Sequence, residues 1–578
     1  MIDLAIRNGL LVDGSGAPPR HSDVLVDAGR VVAVEAPGST SPGTATRTLE
    51  ADGRLVTPGF VDMHTHYDAQ ATWDPFVTPS SWHGVTTIVM GNCGVGFAPA
   101  APDRHDWLID LMEGVEDIPG SAMTEGITWG WTSFPEYLDA LESQPRILDV
   151  GTQIGHGPLR AYVMGDRGAA NEPATEEDRA AMASLVAEAL RAGALGFSTS
   201  RTPLHKSKHG ELVPGTDADA TELLAIAGAL ADVGHGVFQF APDHARVPVD
   251  EWPWMLELAR RTGRTVSVNL NQPDSDPEVW RKVLSLLDEA AAEGLSMVAQ
   301  VAGRSIGILY TLRGSIHPLL FHPAYAEVGD LPITERIAAL NEPERRRRLL
   351  EEVPEDDGGL FRRAVIEKLD RMWLVEGADI DYEPPPETSV AALAAQRGVP
   401  PMALLVDQLT SADGHGMVYA PFFNYAYGDL SMTFEATQHP HTRMGLSDAG
   451  AHCGAICDGG MPTFMLTHWV RDRTRGPRLP LELVVHRQTR QTAEVYGLAD
   501  RGLVAPGMRA DLNVIDMDLL GFDVPRMAYD LPAGGRRLVQ RGRGYAATFV
   551  AGVQTVADDE PTGELPGRLI RGPRPVPA

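Results

Sequence analysis

Cysteine is nearly absent from this chain, with three residues, Cys93, Cys453 and Cys457, among 578. Three thiols cannot build a disulfide framework, and their scarcity suits a reducing compartment. Positive charge is also short: 49 Lys and Arg stand against 78 Asp and Glu, a formal net charge of -29. Such a surface does not attract nucleic acid or an anionic membrane, since both need basic patches. No apolar run approaches the ~18 residues of a membrane span. The opening Met1-Ile2-Asp3-Leu4 has neither the basic region nor the apolar block of a secretory signal. These absences point to a cytoplasmic protein acting on a small-molecule substrate, with no nucleic acid and no membrane as partner, and they leave a homo-oligomer open.

What is present is a globular composition, 43% hydrophobic and 22% charged, in a chain long enough for one large domain and an accessory. The organising stretch is Thr57-Pro58-Gly59-Phe60-Val61-Asp62-Met63-His64-Thr65-His66. Pro58-Gly59 punctuates the chain, and a short apolar strand then runs into two histidines one residue apart. Side chains alternate along a strand, so His64 and His66 project the same way and make half a metal site.

Before this stretch, residues 4–7, 10–14, 24–26 and 31–34 read as strands broken by turns, and 510–516 and 547–552 do the same near the other end. Edges left unpaired make poor folding units, so the two ends are expected to pair in one β domain. Between them, short apolar runs alternate with helical patterns at 60–65, 86–91, 148–154, 195–198, 236–240, 266–270, 297–301 and 444–447. Eight strands in βα order predict an α/β fold of the TIM (β/α)8 type. Thr175 and Asp178 form a capping box for a helix that Gly193 ends. The connection from Val301 to Met444 far exceeds an ordinary loop, so a helical insertion is expected between strands seven and eight, with helices over 333–353 and 389–396. Arg345-Arg346-Arg347-Arg348, flanked by Glu342, Glu344, Glu351 and Glu352, reads as a solvated helix face. The expected division is 1–57 and 505–578 for the β domain and 58–504 for the barrel, with the insertion at about 303–415.

Residues at the C-terminal ends of barrel strands converge on one pocket. Strand one brings His64 and His66, strand two runs into Gly91-Asn92-Cys93-Gly94, and strand eight delivers Gly445-Leu446-Ser447-Asp448. Each has an ordinary alternative: strand-end polar residues, a small buried thiol, a helix cap. Jointly they form a donor set of zinc type, with ligand distances of about 2.0–2.3 Å.

Val56 to Asp68, together with Trp82-His83-Gly84-Val85-Thr86-Thr87, Gly91-Asn92-Cys93-Gly94, Gly155-His156-Gly157-Pro158-Leu159-Arg160, Gly193-Ala194-Leu195-Gly196-Phe197-Ser198 and Ala505-Pro506-Gly507-Met508-Arg509-Ala510-Asp511, closely resembles the N-acyl-D-amino-acid deacylase branch of the amidohydrolase superfamily. The resemblance implies a distorted TIM barrel with a small β-sandwich domain built from both termini. It implies zinc, one or two ions, held by the second-strand Cys and by histidines ending strands five and six, with the first-strand His pair as a weaker second site. It further implies metal-bound hydroxide as nucleophile and Asp448 as general base and acid, in hydrolysis of an amide C–N bond of an N-acyl amino acid. His64, His66, Cys93 and Asp448 match as metal ligands. Strand five instead offers Gln239 and strand six Asn269, both weaker zinc donors than imidazole. Three outcomes stay open: a metal on the four matching residues alone, a loop histidine (His205, His209 or His244) bending in, or a site without metal. His156, His205, His209 and His452 are candidate substrate contacts, and Cys453 and Cys457 read as loop sequence. The alternatives to an N-acyl amino acid hydrolase are a hydrolase of another amide, cyclic imide, carbamate or ester, and a non-catalytic scaffold.

Overall fold

The two ends of the chain meet in one sheet. Ile2–Leu11 pairs with Arg20–Asp27, which pairs with Arg30–Glu35. Ala28 and Gly29, at φ 48° and 74°, supply the two-residue turn whose left-handed backbone matches the twist of a hairpin. Leu55–Pro58 lies parallel to Ile2–Leu11 on one side and antiparallel to Leu512–Ile515 on the other. Tyr545–Val550, Val553–Ala557 and Glu560–Pro561 continue from there, and Ala45–Glu50 adds to Ile2–Leu11, giving nine strands. Val24, Val26, Val56, Leu512, Val514 and Phe549 make its apolar core. The computed structural model describes residues 2–41, 43, 45–353 and 368–577.

Between the two halves of this sheet run the parallel strands, whose residues are buried on both faces as helix-covered strands must be. They form two sheets, where a single run of eight was predicted. Phe60–Asp62, Val85–Met90 and Asp149–Thr152 make one. Ile154–Gly155, Gly196–Ser200, Val237–Ala241, Thr265–Asn269, Met297–Val301 and Thr442–Met444 make the other. Gln153 alone separates the sheets at one seam, so the predicted third strand is in two pieces. At the other seam, Thr65 and Ala449 share one bridge, and a cavity of about 30 Å³ between Phe60, Asp62, Met444 and Ser447 opens where ladder bonds would run. The predicted eighth strand accordingly ends at Met444, and 445–448 is loop.

The helix Glu176–Ala192 has both halves of the predicted capping box: Asp178 N–H donates to Thr175 Oγ1 (3.1 Å) and Thr175 N–H to Asp178 Oδ2 (2.9 Å). The insertion departs from the all-helical expectation. Ile306–Tyr310, Met417–Phe423 and Trp373–Val375 form an antiparallel sheet in it, because these apolar, aromatic-rich runs are too short for helices and pack against each other. Its helices include Ile333–Leu340 and Pro343–Glu351, one predicted helix broken where Pro343 starts a new first turn, and Val390–Arg397, capped by Ser389. The stretch 354–367 of the predicted insertion lies outside the described residues. Among the described residues no helix is long and apolar enough to cross a membrane.

A buried carboxylate is one of the ties between the parallel strands and the C-terminal segment. Asp149 accepts from Arg501 Nη1 (2.8 Å), Arg509 Nη2 (3.0 Å) and the Arg568 N–H (2.8 Å). Removing it leaves Arg501 with Asp500 (2.9 Å) and Arg509 with Asp511 (3.1 Å) as their carboxylate partners, but takes the acceptor from three donors. Asp149→Ala is expected to cost about 1–3 kcal/mol, seen as a lower urea midpoint. Asp166→Ala, which removes the exposed partner of Arg104, is expected to leave the midpoint in place. Equal midpoints for the two variants would contradict this role for Asp149.

Candidate metal centre

The Phe60–Asp62 strand hands the chain to Thr65 and His66 through cross-strand bonds, Thr65 N–H to Val89 O (3.2 Å) and His66 N–H to Ala449 O (2.8 Å). Both imidazoles are buried, His64 at 0% and His66 at 1% exposure. Cys93 arrives on the tight turn after Val85–Met90, with Gly91, Cys93 and Gly94 at φ 76°, 57° and 74°. A Cβ on Gly91 would lie 2.3 Å from Gln153 O, and one on Gly94 2.8 Å from Ser200 N, so both must be glycine. Asn92 Nδ2 ties the turn to Thr65 O (3.2 Å), and Ser198 Oγ takes the Gly94 N–H (3.0 Å) while donating to Gly91 O (2.6 Å). Asp448 follows Thr442–Met444 on a loop pinned by a hydrogen bond from Ser447 Oγ to Asp62. Leu446, Asp448 and His452 sit at φ 57°, 46° and 51°, and each left-handed non-glycine costs of order 1–3 kcal/mol. Strain clusters where the donors do.

The four side chains meet. His64 Nε2 is 3.3 Å from Cys93 Sγ and 3.2 Å from Asp448 Oδ1, and His66 Nε2 is 3.6 Å from the same oxygen. His64, His66 and Cys93 place their ligand atoms within 4.8 Å of one another. Tetrahedral zinc with bonds of about 2.0–2.3 Å has ligand–ligand edges of about 3.3–3.8 Å, and the three contacts of 3.2, 3.3 and 3.6 Å lie close to that. Two imidazoles, a thiol and a carboxylate are also the donor types zinc takes, so the residues fit the ion.

The group behind His64 fixes which of its nitrogens faces inward. His64 Nδ1 lies 2.6 Å from Gln300 Oε1, while Gln300 Nε2 donates to Ser267 Oγ (2.9 Å). The Gln300 oxygen therefore accepts from Nδ1–H and leaves the His64 Nε2 lone pair for the centre. Glu116 Oε1, at the end of the helix His105–Glu116, stands 3.2 Å from His66 Nδ1, an ion-pair distance without hydrogen-bond alignment. Gln300 ends a parallel strand and could have been found by asking what stands at each strand end. Glu116 closes an apolar helix face with no sequence signal of its own. Gln239 and Asn269 reach Cys93: Gln239 Oε1 accepts the Cys93 N–H at 3.1 Å, and Asn269 Nδ2 points at its sulfur at 3.9 Å.

Burial pushes His64 down to about 4 and the Cys93 thiol up to about 11. Burial raises Glu116 as well. Burial would also depress His66, but Glu116, Asp448 and Cys93 hold it well above an ordinary histidine. Burial would raise Asp448, yet His66 and His64 leave it far below the usual carboxylate range. Acidic groups converge here without Lys or Arg beside them in the contacts above, and within the protein alone His66 supplies the positive charge that a divalent cation would otherwise bring.

The remaining predicted residues divide. His452 lies beside the cluster, 3.7 Å from Glu116 Oε2, with its backbone N–H bonded to Glu116 O. His205 is half-buried, its Nδ1 2.9 Å from Ser200 Oγ, and burial, with His452 and His66 acting in the same sense, pushes it down to about 3. His209 does not join: it is exposed and faces Asp110 (3.3 Å), because its loop turns outward after Ser207. His156 does not join either. Its Nε2 meets Glu222 (2.8 Å) and its Nδ1 Thr199 (2.9 Å), so both ring nitrogens are spent inside the fold. His244 meets Asn271 (3.2 Å) and packs on Phe423. Cys453 and Cys457 are buried free thiols. A cavity of about 430 Å³ lined by Trp73, Phe76, Trp82, Arg537 and Arg541 contains none of the cluster residues.

The sequence pattern of the amidohydrolase family matches residues 47–556. An N-acyl-D-glutamate deacylase of Alcaligenes xylosoxydans xylosoxydans is 28% identical over 99% of this chain and 96% of its own length. A D-aminoacylase of the same organism is 27% identical over 98% of this chain and 97% of its own. Among solved structures, an N-acyl-D-glutamate deacylase from Bordetella bronchiseptica, complexed with zinc and a phosphonate inhibitor that mimics the tetrahedral intermediate, matches with a TM-score of 0.64 at 25% identity, covering 99% of this chain and 100% of that one. The matched span holds all four converging donors and most of the chain's length, and the chain belongs to the amidohydrolase family.

Proposed function

We propose that this protein is a zinc-dependent hydrolase of the amide C–N bond in small N-acyl amino acids, with His64, His66, Cys93 and Asp448 holding the metal. The observation that carries it is the convergence of two imidazoles, a thiol and a carboxylate, linked by contacts of 3.2–3.6 Å. The names of the full-length relatives, deacylases of N-acyl-D-amino acids, supply the substrate class. In the same proposal the two parallel sheets work as one distorted barrel, 58–504, joined across Gln153 and Thr65–Ala449, with 1–57 and 505–578 as its β domain.

Zinc, when bound, acidifies water and polarises the amide carbonyl. The chain's own residues do the rest. Gln300 holds the His64 imidazole with Nε2 inward, and Glu116 places its charge 3.2 Å from His66 Nδ1. Asp448 is the cluster member open to an entering substrate, its side chain 14% exposed against 0% and 1% for the two histidines. Its carboxylate turns Oδ1 to the imidazoles and keeps a second oxygen for the proton. It takes that proton from the attacking water and passes it to the amide nitrogen, which must be protonated to leave. Surrounding burial excludes bulk water and strengthens each of these contacts. His452, 24% exposed beside Glu116, and His205 are the candidate substrate contacts.

Two measurements test this. Purified protein is expected to release free amino acid from N-acyl-D-amino acids, to lose that activity on treatment with a chelator and to regain it with zinc; Cys93→Ala is expected to lose bound metal. If only cyclic imides, carbamates or esters turn over, the substrate class is wrong while the centre stands. Asp448→Asn is expected to lower kcat by about 10²–10⁴-fold, the usual contribution of a positioned proton carrier. Full hydrolysis by that variant on a confirmed substrate would remove Asp448 from the mechanism.

A further inference from the structure

Gln239 ends the Val237–Ala241 strand and Asn269 ends the neighbouring Thr265–Asn269 strand, and both side chains are buried, at 0% and 6% exposure. Their amides close a ring with Cys93. The Cys93 N–H donates to Gln239 Oε1 (3.1 Å), Gln239 Nε2 donates to Asn269 Oδ1 (3.0 Å), and Asn269 Nδ2 donates to Cys93 Sγ at 3.9 Å, a long contact to a large atom. The ring has a fixed direction. It begins at a backbone N–H, which can only donate, so Gln239 must present its oxygen there and its NH₂ to Asn269. Asn269 must then present its oxygen to Gln239 and its NH₂ to the sulfur. Turning either amide over would set donor against donor in a buried place. Each amide oxygen, the atom through which Gln or Asn could ligate a hard cation, thereby already accepts a hydrogen bond within the ring. Among the described residues, the one group of three or more His, Cys, Asp or Glu side chains placed to hold an ion is His64, His66 and Cys93.

We propose that Gln239 and Asn269 act as a one-way amide relay that carries a hydrogen-bond donor from the Cys93 backbone round to the Cys93 sulfur, holding Cys93 as thiolate ligand and limiting the centre to one metal ion. The inference rests on the metal reading of His64, His66, Cys93 and Asp448 given above. Its logic is that of outer-shell ligation: a thiolate that accepts a hydrogen bond keeps its charge and orientation, and loss of such a partner weakens metal binding. Gln239 and Asn269 are positioning residues, since neither touches the reacting atoms.

The test uses the full chain loaded with cobalt(II), whose thiolate complexes show a charge-transfer absorption, alongside elemental analysis and competition with a chromophoric chelator for metal affinity. Wild-type protein is expected to hold one ion per chain with that absorption. Asn269→Leu and Gln239→Met keep the volume and remove the hydrogen bonds. Both are expected to bind metal about 10–100-fold more weakly, with the absorption reduced or displaced. Asn269→Ser serves in their place if the larger apolar side chains prevent folding. Two ions per chain in the wild type, or unchanged affinity and absorption in the variants, would overturn the relay while leaving the metal centre intact. A wild-type protein with neither metal nor the absorption would overturn the metal centre itself, and the relay with it.

Discussion

Two carboxylates and a thiol are forced against two imidazoles in a buried space, and the rest of this structure is arranged around that constraint. Glu116, Asp448 and Cys93 all lie within reach of His66, and burial acting alone would drive the ring neutral. Their combined pull reverses it, which marks a place that needs a positive charge. A divalent ion satisfies the same need with directional bonds, and the contacts of 3.2–3.6 Å among the donors lie close to the edges of a tetrahedral site. The left-handed backbone at Cys93, Leu446, Asp448 and His452 is the conformational cost of bringing the donors together.

The fold holds that arrangement by controlling where each strand ends. Leu55–Pro58 belongs to the terminal sheet and Phe60–Asp62 to the parallel one, so the chain changes sheets at Gly59. The Gly59 N–H is bonded to Asp511 O at 2.8 Å, and a Cβ there would lie 2.1 Å from Thr86 Oγ1. His64 and His66 are therefore set in register with both sheets at once. On the far side, Asp149 binds Arg501 and Arg509 from the C-terminal segment, so the terminal sheet braces the strand that runs beside Val85–Met90, from which Cys93 hangs. The terminal segments thus help to fix the position of two of the four donors.

His64, His66, Cys93 and Asp448 stood out in the sequence because the two histidines follow a short apolar strand with period-two spacing, while Cys93 and Asp448 stand among glycines in the turns that follow strands. The capped helix Glu176–Ala192 was legible for the same local reason. What sequence could not give depended on contacts between distant segments. Glu116 comes from a helix outside any motif, and Gln300 is visible only once its strand is placed beside Thr265–Asn269. His156 and His209 were both candidate substrate contacts, yet one is enclosed by Glu222 and Thr199 and the other faces solvent with Asp110. The split of the parallel strands at Gln153 and the sheet in the insertion were missed because short apolar runs do not reveal their partners.

Gln239 and Asn269 show why a ligand count taken from residue types is incomplete. As donors to zinc, two amides in place of two imidazoles would mean a weaker site. Folded, each amide has a defined front and back, and the oxygen of each accepts a hydrogen bond within the ring. What remains free is a donor, turned toward a sulfur. An imidazole pair at these positions would compete with His64 and His66 for metal; an amide pair instead reinforces the one soft ligand, so the same two strand ends serve the centre by hydrogen bonding where they do not serve it by coordination.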